Sequence, residues 1–186
     1  MIPQTLKPMP NLAEELRSVI NPSICDEATY KRFLERLDES GGLVRDENPQ
    51  THYSCYFLVW NPATKKILIV HHKKSGLWLS PGGHIDQGET LMQTLNREVE
   101  EELGVKGKVQ GEIKPFLLTV TPIENATQSC KEHLDIWYRI ESDGSDFNID
   151  SREFHTTLWL TPTEARELVT DPPNLRAIEL TEELMK

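Results

Sequence analysis

The sequence is short of the residues on which several protein classes depend. Cysteine occurs three times, at Cys25, Cys55 and Cys130, scattered and odd in number. No disulfide framework follows, no CxxC or Cys/His spacing suggests zinc, and reduced thiols in a cytoplasmic chain are the expectation. Long apolar runs are missing too. The longest stretch, Cys55–Trp60, falls far short of the roughly 20 residues that span a bilayer. The N-terminal segment MIPQTLKPMPNLAEEL has no apolar stretch of the kind a signal peptide needs, so none is expected. Ten glycines and twelve prolines in 186 residues exclude a collagen-like or low-complexity chain. Bases are scarce, 20 against 30 acids, for a formal net charge of −10. So acidic a chain has no general attraction for polyphosphate backbones or anionic lipid, and neither nucleic acid nor a membrane is an expected partner. Phosphate binding would need local positive charge, for which a metal ion is the obvious source.

What is present reads as one soluble domain with a helical appendage, since single cores usually serve roughly 100–200 residues. Residues 1–50 look helical and match no motif. Asn11 with Glu14 makes a capping box, and Leu12, Leu16, Val19 and Ile20 share a face up to Pro22. A second helix is expected over Asp26–Asp38, stopped by Gly41-Gly42. Three roles stay open for this segment: covering a sheet, selecting substrate, or joining two copies in a homodimer. From residue 51 the pattern turns to strands. His52–Trp60 and Lys66–His71, around Asn61-Pro62, predict a hairpin. Further strands are expected at Glu112–Val120, His133–Ile140 and Thr156–Leu160, with helices at Thr90–Leu103, Pro162–Val169 and, as a last short one, after Pro172-Pro173. Mixed strands and helices in this order indicate an α+β chain with α/β/α layering.

The informative segment is GGHIDQGETLMQTLNREVEEELGV, residues 82–105. At about 100° per residue, Leu91, Leu95, Val99 and Leu103 form an apolar stripe. Glu98, Glu101 and Glu102 gather in a wedge beside it, and Glu100 points elsewhere. Three carboxylates at this spacing repel one another, and they stand near the negative end of the helix. The arrangement is unfavourable without a cation among them. Oxygen-only ligands suit Mg²⁺ or Mn²⁺ rather than zinc. A Glu-rich face is ordinarily solvated surface, but here Arg97 lies within reach of Glu89, an ion pair that would pin the loop to the helix. Gly82, Gly83 and Gly88 permit a tight turn before it.

The segment resembles the Nudix box, G-x5-E-x7-R-E-U-x-E-E-x-G-U, where U is a bulky aliphatic. Gly83, Glu89, Arg97, Glu98, Val99, Glu101, Glu102, Gly104 and Val105 fill every defined position. The resemblance implies a mixed sheet sandwiched between helices over residues 51–186, preceded by the helical extension 1–50. It also implies hydrolysis of a diphosphate linkage in a nucleoside diphosphate joined to another group, by water activated on a divalent metal. Carried onto matching positions, it makes Glu98, Glu101 and Glu102 catalytic residues and metal ligands, with the Gly83 carbonyl as a further ligand. Glu89 and Arg97 become structural supports. Metals would neutralise the diphosphate, polarise the phosphoryl group and acidify water. Glu98 is the favoured base, with an acid or His from the late loop 141–153, best Glu153, as the alternative. No Walker loop, G-x-S-x-G or Cys/His pair offers another chemistry. A binding or sensor module that has lost catalysis is the alternative function. Such a module should show gaps among the carboxylates, and there are none. An allylic diphosphate isomerase would need a cysteine in the cleft, whereas Cys55 lies in a strand. RNA-end processing would call for a basic stripe, which is absent.

Weaker signals surround the box. His71-His72-Lys73-Lys74 ends a strand close to the expected cleft, and Lys74 is the candidate phosphate contact. The run resembles one in a bacterial Nudix subgroup. Trp78 either stacks on a base or belongs to the core, and Trp60, Trp137 and Trp159 read as core. His133 and Asp135 share a strand face that can turn toward the metals, and His84 follows the glycines. Lys74, Trp78, His133 and Glu153 are thus the candidate substrate contacts on a small-molecule diphosphate, which the sequence does not specify further.

Overall fold

The computed structural model describes residues 11–105, 113–123 and 129–185. Its helices are α1 (Leu12–Val19), α2 (Glu27–Asp38), α3 (Leu91–Leu103), α4 (Pro162–Leu168) and α5 (Pro172–Leu184). Its strands are β1 (Thr51–Asn61), β2 (Lys66–His72), β3 (Trp78–Leu79), β4 (Gly82–His84), β5 (Leu117–Pro122), β6 (Glu132–Glu141) and β7 (Phe154–Leu160). In β1, Tyr53, Cys55, Phe57 and Val59 alternate with His52, Ser54, Tyr56 and Leu58, and nearly all are buried. A strand buried on both faces belongs in the middle of a sheet. There β1 lies parallel to β6, with Thr51 opposite Glu132 and Trp60 opposite Glu141. The strand β5 pairs antiparallel with the far side of β6. On its other side β1 pairs first with β4, Ser54 opposite His84, and then with β2 through the expected hairpin. The hairpin turns at Asn61, whose side chain accepts the N–H groups of Ala63 and Thr64. The strand β2 also pairs with β3 and β7, giving one mixed sheet.

Each face of the sheet is covered by helices. Leu16 of α1, Ile20 at its C-cap, Phe33 of α2 and the Leu91, Leu95, Val99, Leu103 stripe of α3 pack on Tyr53, Cys55, Phe57 and Ile136. Ala165 of α4 and Ala177 and Ile178 of α5 pack on Leu58, Ile67 and Trp137. Each fully buried Leu, Ile or Phe contributes about 1.5–3 kcal/mol through removal from water. The α/β/α layering is therefore the outcome of the residue pattern. The helix boundaries follow from caps: Asn11, Asp26, Thr90, Thr161 and Asp171 each accept an N–H of the first turn.

Two expectations need correction. The strand expected at Glu112–Val120 begins only at Leu117 and continues to Pro122, with residue 112 outside the described residues. Pro115, lacking an N–H, cannot join a ladder as a donor. The last helix is not short: α5 has 13 residues, started by Pro172 and Pro173 in its first turn. Trp137 is core, and Trp60 and Trp159 are half-buried and packed against the two core clusters.

Candidate active site

The apolar stripe fixes the rotation of α3, and the rotation decides where its carboxylates point. With Leu95 and Val99 against the sheet, Glu98 and Glu102 are drawn inward, at 7% and 3% exposure. These values exclude a solvated Glu-rich face. Glu100 and Glu101 stay exposed. The strand β4 closes over the inward pair. Gly82 N–H donates to Glu102 Oε2 at 2.7 Å. Gly83 lies so close to Glu98 that a Cβ there would overlap the carboxylate and displace it.

Arg97 locks the loop to the helix. Its Nε and Nη2 donate to the two oxygens of Glu89 at 2.9 and 3.0 Å, and Nη2 also donates to the His84 carbonyl at 2.8 Å. Its Nη1 reaches Glu98 Oε1 at 2.7 Å and Glu101 Oε2 at 3.1 Å. Glu89 further accepts the Thr94 hydroxyl and the Asp86 N–H. Burial would raise the Glu89 pKa, but the Arg97 bonds together with these donors hold it below its ordinary value. Glu98 goes the other way. Burial, with Glu101 and Glu153 nearby, lifts its pKa to about 7 against the pull of Arg97. Glu102 is pushed well up, by burial first and then by Glu98 and Glu153, with the Gly82 bond opposing. Of the two inward carboxylates only Glu98 is paired with the Arg97 guanidinium, while Glu102 has the Gly82 N–H, so the pair lacks positive charge, and its ligand atoms are all oxygen. That set fits a hard divalent cation.

A cleft of about 820 Å³ opens over these groups. It brings together Gly83, Arg97, Glu98, Glu101, Glu102, Lys74, His133 and Glu153, with Glu89 behind Arg97. Trp78 is not brought there. Leu77 and Leu79 line the cleft, so Trp78 between them faces away and stacks on His71 at 4.7 Å. Other lining residues stand outside the candidate contacts read from the sequence. Arg45, Lys73 and Arg152 add positive charge to the rim. Tyr56 stacks on Trp137 at 5.0 Å, beside Asp135 and Asn174. Asp135 is fully buried, and burial raises its pKa to about 6 against hydroxyl bonds from Ser54, Thr121 and Thr119. The alternation along β6 that puts Asp135 on the His133 face extends to Trp137, and the same alternation along β1 leads to Tyr56. Arg45 and Asn174 come from a turn and a helix far along the chain, and carry no local signal.

At the end of the cleft the fold also assembles His52, His84, Cys130 and His133, whose ligand-capable atoms all lie within 4.8 Å of one another. Spacing along the chain gives no sign of this grouping, because strand pairing makes it. Burial, with the neighbouring imidazoles next, lowers the pKa of His84 to about 2 and of His133 to about 4, and burial likewise lowers that of His52.

Comparison with known proteins places the chain in a family. The model of the NUDIX domain matches residues 50–180. Nudix hydrolase 6 of Arabidopsis thaliana is 32% identical over 123 residues, 62% of this chain and 40% of that protein. The 8-oxo-(d)GTP phosphatase of Mycolicibacterium smegmatis is 28% identical over 122 residues, 63% of this chain and 34% of that protein. The chain therefore spans well under half the length of these two relatives. Among solved structures, the NUDIX domain of Shewanella oneidensis NrtR, complexed with ADP ribose, superposes with a TM-score of 0.58 at 19% identity, over 86% of this chain and 99% of that one.

Proposed function

Because the chain belongs to the NUDIX family, we propose that it hydrolyses the diphosphate linkage of a nucleoside diphosphate joined to another group. The observation that carries this reading is the inward Glu98–Glu102 pair beneath Gly83, complete in every box position and open to a cleft. Glu98, Glu101, Glu102 and the Gly83 carbonyl would hold Mg²⁺ or Mn²⁺. Such a cation, when bound, neutralises phosphate charge and lowers the pKa of water.

The protein's own groups supply the rest. Arg97 holds Glu98 by Oε1 and leaves Oε2 to orient the attacking water and take its proton. Burial suits Glu98 to this role, because a base works best with a pKa near the working pH. Glu153 is the alternative base and borders the same cleft. Lys74, Arg45 and Arg152 stand where phosphate oxygens need countercharge. The Tyr56–Trp137 stack with Asp135 and Asn174 offers an aromatic and hydrogen-bonding end for a base or a comparable ring. A nucleotide substrate agrees with the activity named for the mycobacterial relative.

The test is a panel of oxidised nucleotides, nucleotide sugars, ADP-ribose, dinucleoside polyphosphates and coenzyme diphosphates, read by phosphate or nucleotide release. At least one member should turn over with Mg²⁺ or Mn²⁺, stop in EDTA and recover on metal addition. Full activity in chelator would refute the metal role, and no turnover across the panel would refute the hydrolase.

A further inference from the structure

We propose that His52, His84, His133 and Cys130 bind one zinc ion, at a site separate from the box carboxylates and independent of the hydrolase reading. The chemistry of the donors is the first argument. Three imidazoles and a thiol are borderline-to-soft ligands, the set that zinc prefers and Mg²⁺ does not. Four protein ligands close a tetrahedron, which is the pattern of a structural site rather than a catalytic one.

Distances are the second argument. With zinc bonds of about 2.0–2.1 Å to nitrogen and about 2.3 Å to sulfur, a tetrahedron places two nitrogens ~3.3 Å apart and a nitrogen and a sulfur ~3.6 Å apart. His84 Nε2 and His133 Nε2 are 3.3 Å apart, and Cys130 Sγ is 3.9 Å from His52 Nε2. The site is within a few tenths of an ångström of closing on these two edges. The three rings also crowd one another, with centroids 4.8 to 4.9 Å apart. Neighbouring imidazoles gain little from this except through a shared cation or a shared proton.

Preorganisation is the third. His52 and His133 are register partners on β1 and β6, and His84 enters from β4 opposite Ser54. Three adjacent strands thus present one ring each on the same face, with His84 two residues along from the His52–His133 pair. Backbone bonds from Ile123 to Lys131 and from Lys131 to Gln50 hold the chain beside Cys130. His52 Nδ1–H donates to the Asn48 carbonyl at 2.9 Å, which leaves Nε2 with its lone pair facing the cluster. This outer bond is how metal-binding histidines are usually oriented. His52, His133 and Cys130 are buried, so these donors are already out of water.

Loading the site moves protons. Arg45 Nη1 donates to His84 Nδ1 at 3.3 Å, so the His84 proton sits on Nε2, toward His133. Zinc would displace it to Nδ1 as Arg45, 44% exposed, swings away. The Cys130 thiol proton leaves to solvent. Because His84 adjoins Gly83, an ion here would fasten β4, and with it the floor of the cleft, to the starts of β1 and β6.

The experiment uses the full chain, freed of metal by chelator and kept in excess Mg²⁺. Zinc is titrated against a competing chelator, Co²⁺ is substituted as a spectroscopic probe, and melting is followed. The expected result is one zinc per chain, a raised Tm, and a tetrahedral cobalt spectrum with a thiolate charge-transfer band. Cys130→Ser should abolish that band, and both Cys130→Ser and His52→Asn should weaken zinc at least about tenfold. Glu98→Gln should leave zinc stoichiometry unchanged. If His52→Asn does not fold, the near-isosteric Cys130→Ser and the cobalt spectrum of the unmodified chain still decide. No zinc bound in excess Mg²⁺, zinc affinity indifferent to Cys130→Ser, or zinc lost with Glu98→Gln would each overturn the proposal.

Discussion

At the scale of single residues, burial separates carboxylates that the sequence presents as a uniform run. Glu98 and Glu102 are inward, Glu101 is tied to Arg97 at the rim, and Glu100 is exposed. Replacing Glu by Gln keeps the shape and removes the charge. Losing a fixed electrostatic stabiliser typically costs about 3–4 kcal/mol, on the order of 10²–10³ in kcat. Losses of that size are expected for Glu98→Gln and Glu102→Gln, and less than about twofold for Glu100→Gln, whose charge is a surface one. Rates at saturating Mg²⁺ check this, and a damaging Glu100→Gln would mean a wrong helix register. Glu89 gives a pH signature. Its pKa is depressed in the folded state, so its contribution is fully present above the ordinary carboxylate range. It fades as acid takes the pH down through about 4.5 and then through the lower folded value. Melting curves of the unmodified chain and Glu89→Gln should therefore differ at neutral pH and converge in acid. A gap that widens below pH 4 would contradict the Arg97 lock.

Elements were legible where one periodicity ruled. The α3 helix was readable because its apolar residues recur every four positions between a Thr90 cap and Gly104, and the box residues fell into place with it. The strand β5 was misjudged because its start depends on pairing with β6, where Leu117 meets Trp137, and nothing local marks that register. Trp78 was ambiguous because a two-residue strand shows no alternation to read. The His/Cys cluster was invisible because three strands and a loop supply one ligand each. Long-range assembly also shows at the end of α3. Gly104 caps it with φ 69°, and the late loop satisfies the last carbonyls: Asn148 N–H donates to Leu103 and Asp150 N–H to Glu102, at 2.7 and 2.9 Å. A side chain at Gly104 would overlap the Asn148 carbonyl. Left-handed backbone alone costs a non-glycine residue about 1–2 kcal/mol, so Gly104→Ala should lower Tm by several degrees. It should also reduce kcat/KM, since the loop it docks carries Glu153. An unchanged Tm would show that the cap is dispensable.

For the whole molecule the open matter is whether residues 1–50 are an appendage or part of the domain. The sequence suggests an appendage, because the box and the strand pattern begin after them. Residues 1–10 lie outside the described residues, and the packing of residues 11–50 argues otherwise. Leu16 and Phe33 are wholly buried in the same core as the α3 stripe. Tyr53 donates its hydroxyl to the Phe33 carbonyl at 2.7 Å, inside that core. Arg36 is fully buried and donates to the carbonyls of Thr51 and Gly42, stitching α2 to the start of β1. Arg32 reaches Glu132 at the start of β6. Glu15 of α1 accepts the N–H of Leu91 at 2.9 Å, a carboxylate against the first turn of α3, where the helix dipole favours it. Truncating Phe33 to Ala should cost about 3–5 kcal/mol, a large share of the 5–15 kcal/mol that holds a typical domain together. A chain beginning at residue 49 loses that contact along with Leu16, Arg36 and Glu15, so it should be insoluble or unfolded at temperatures where the full chain is native. Urea melts of Phe33→Ala and expression of the shortened chain, each with turnover measured, decide the matter. If the shortened chain melted like the parent and kept its kcat, the two helices would be a detachable cover, and the boundary read from the sequence would stand.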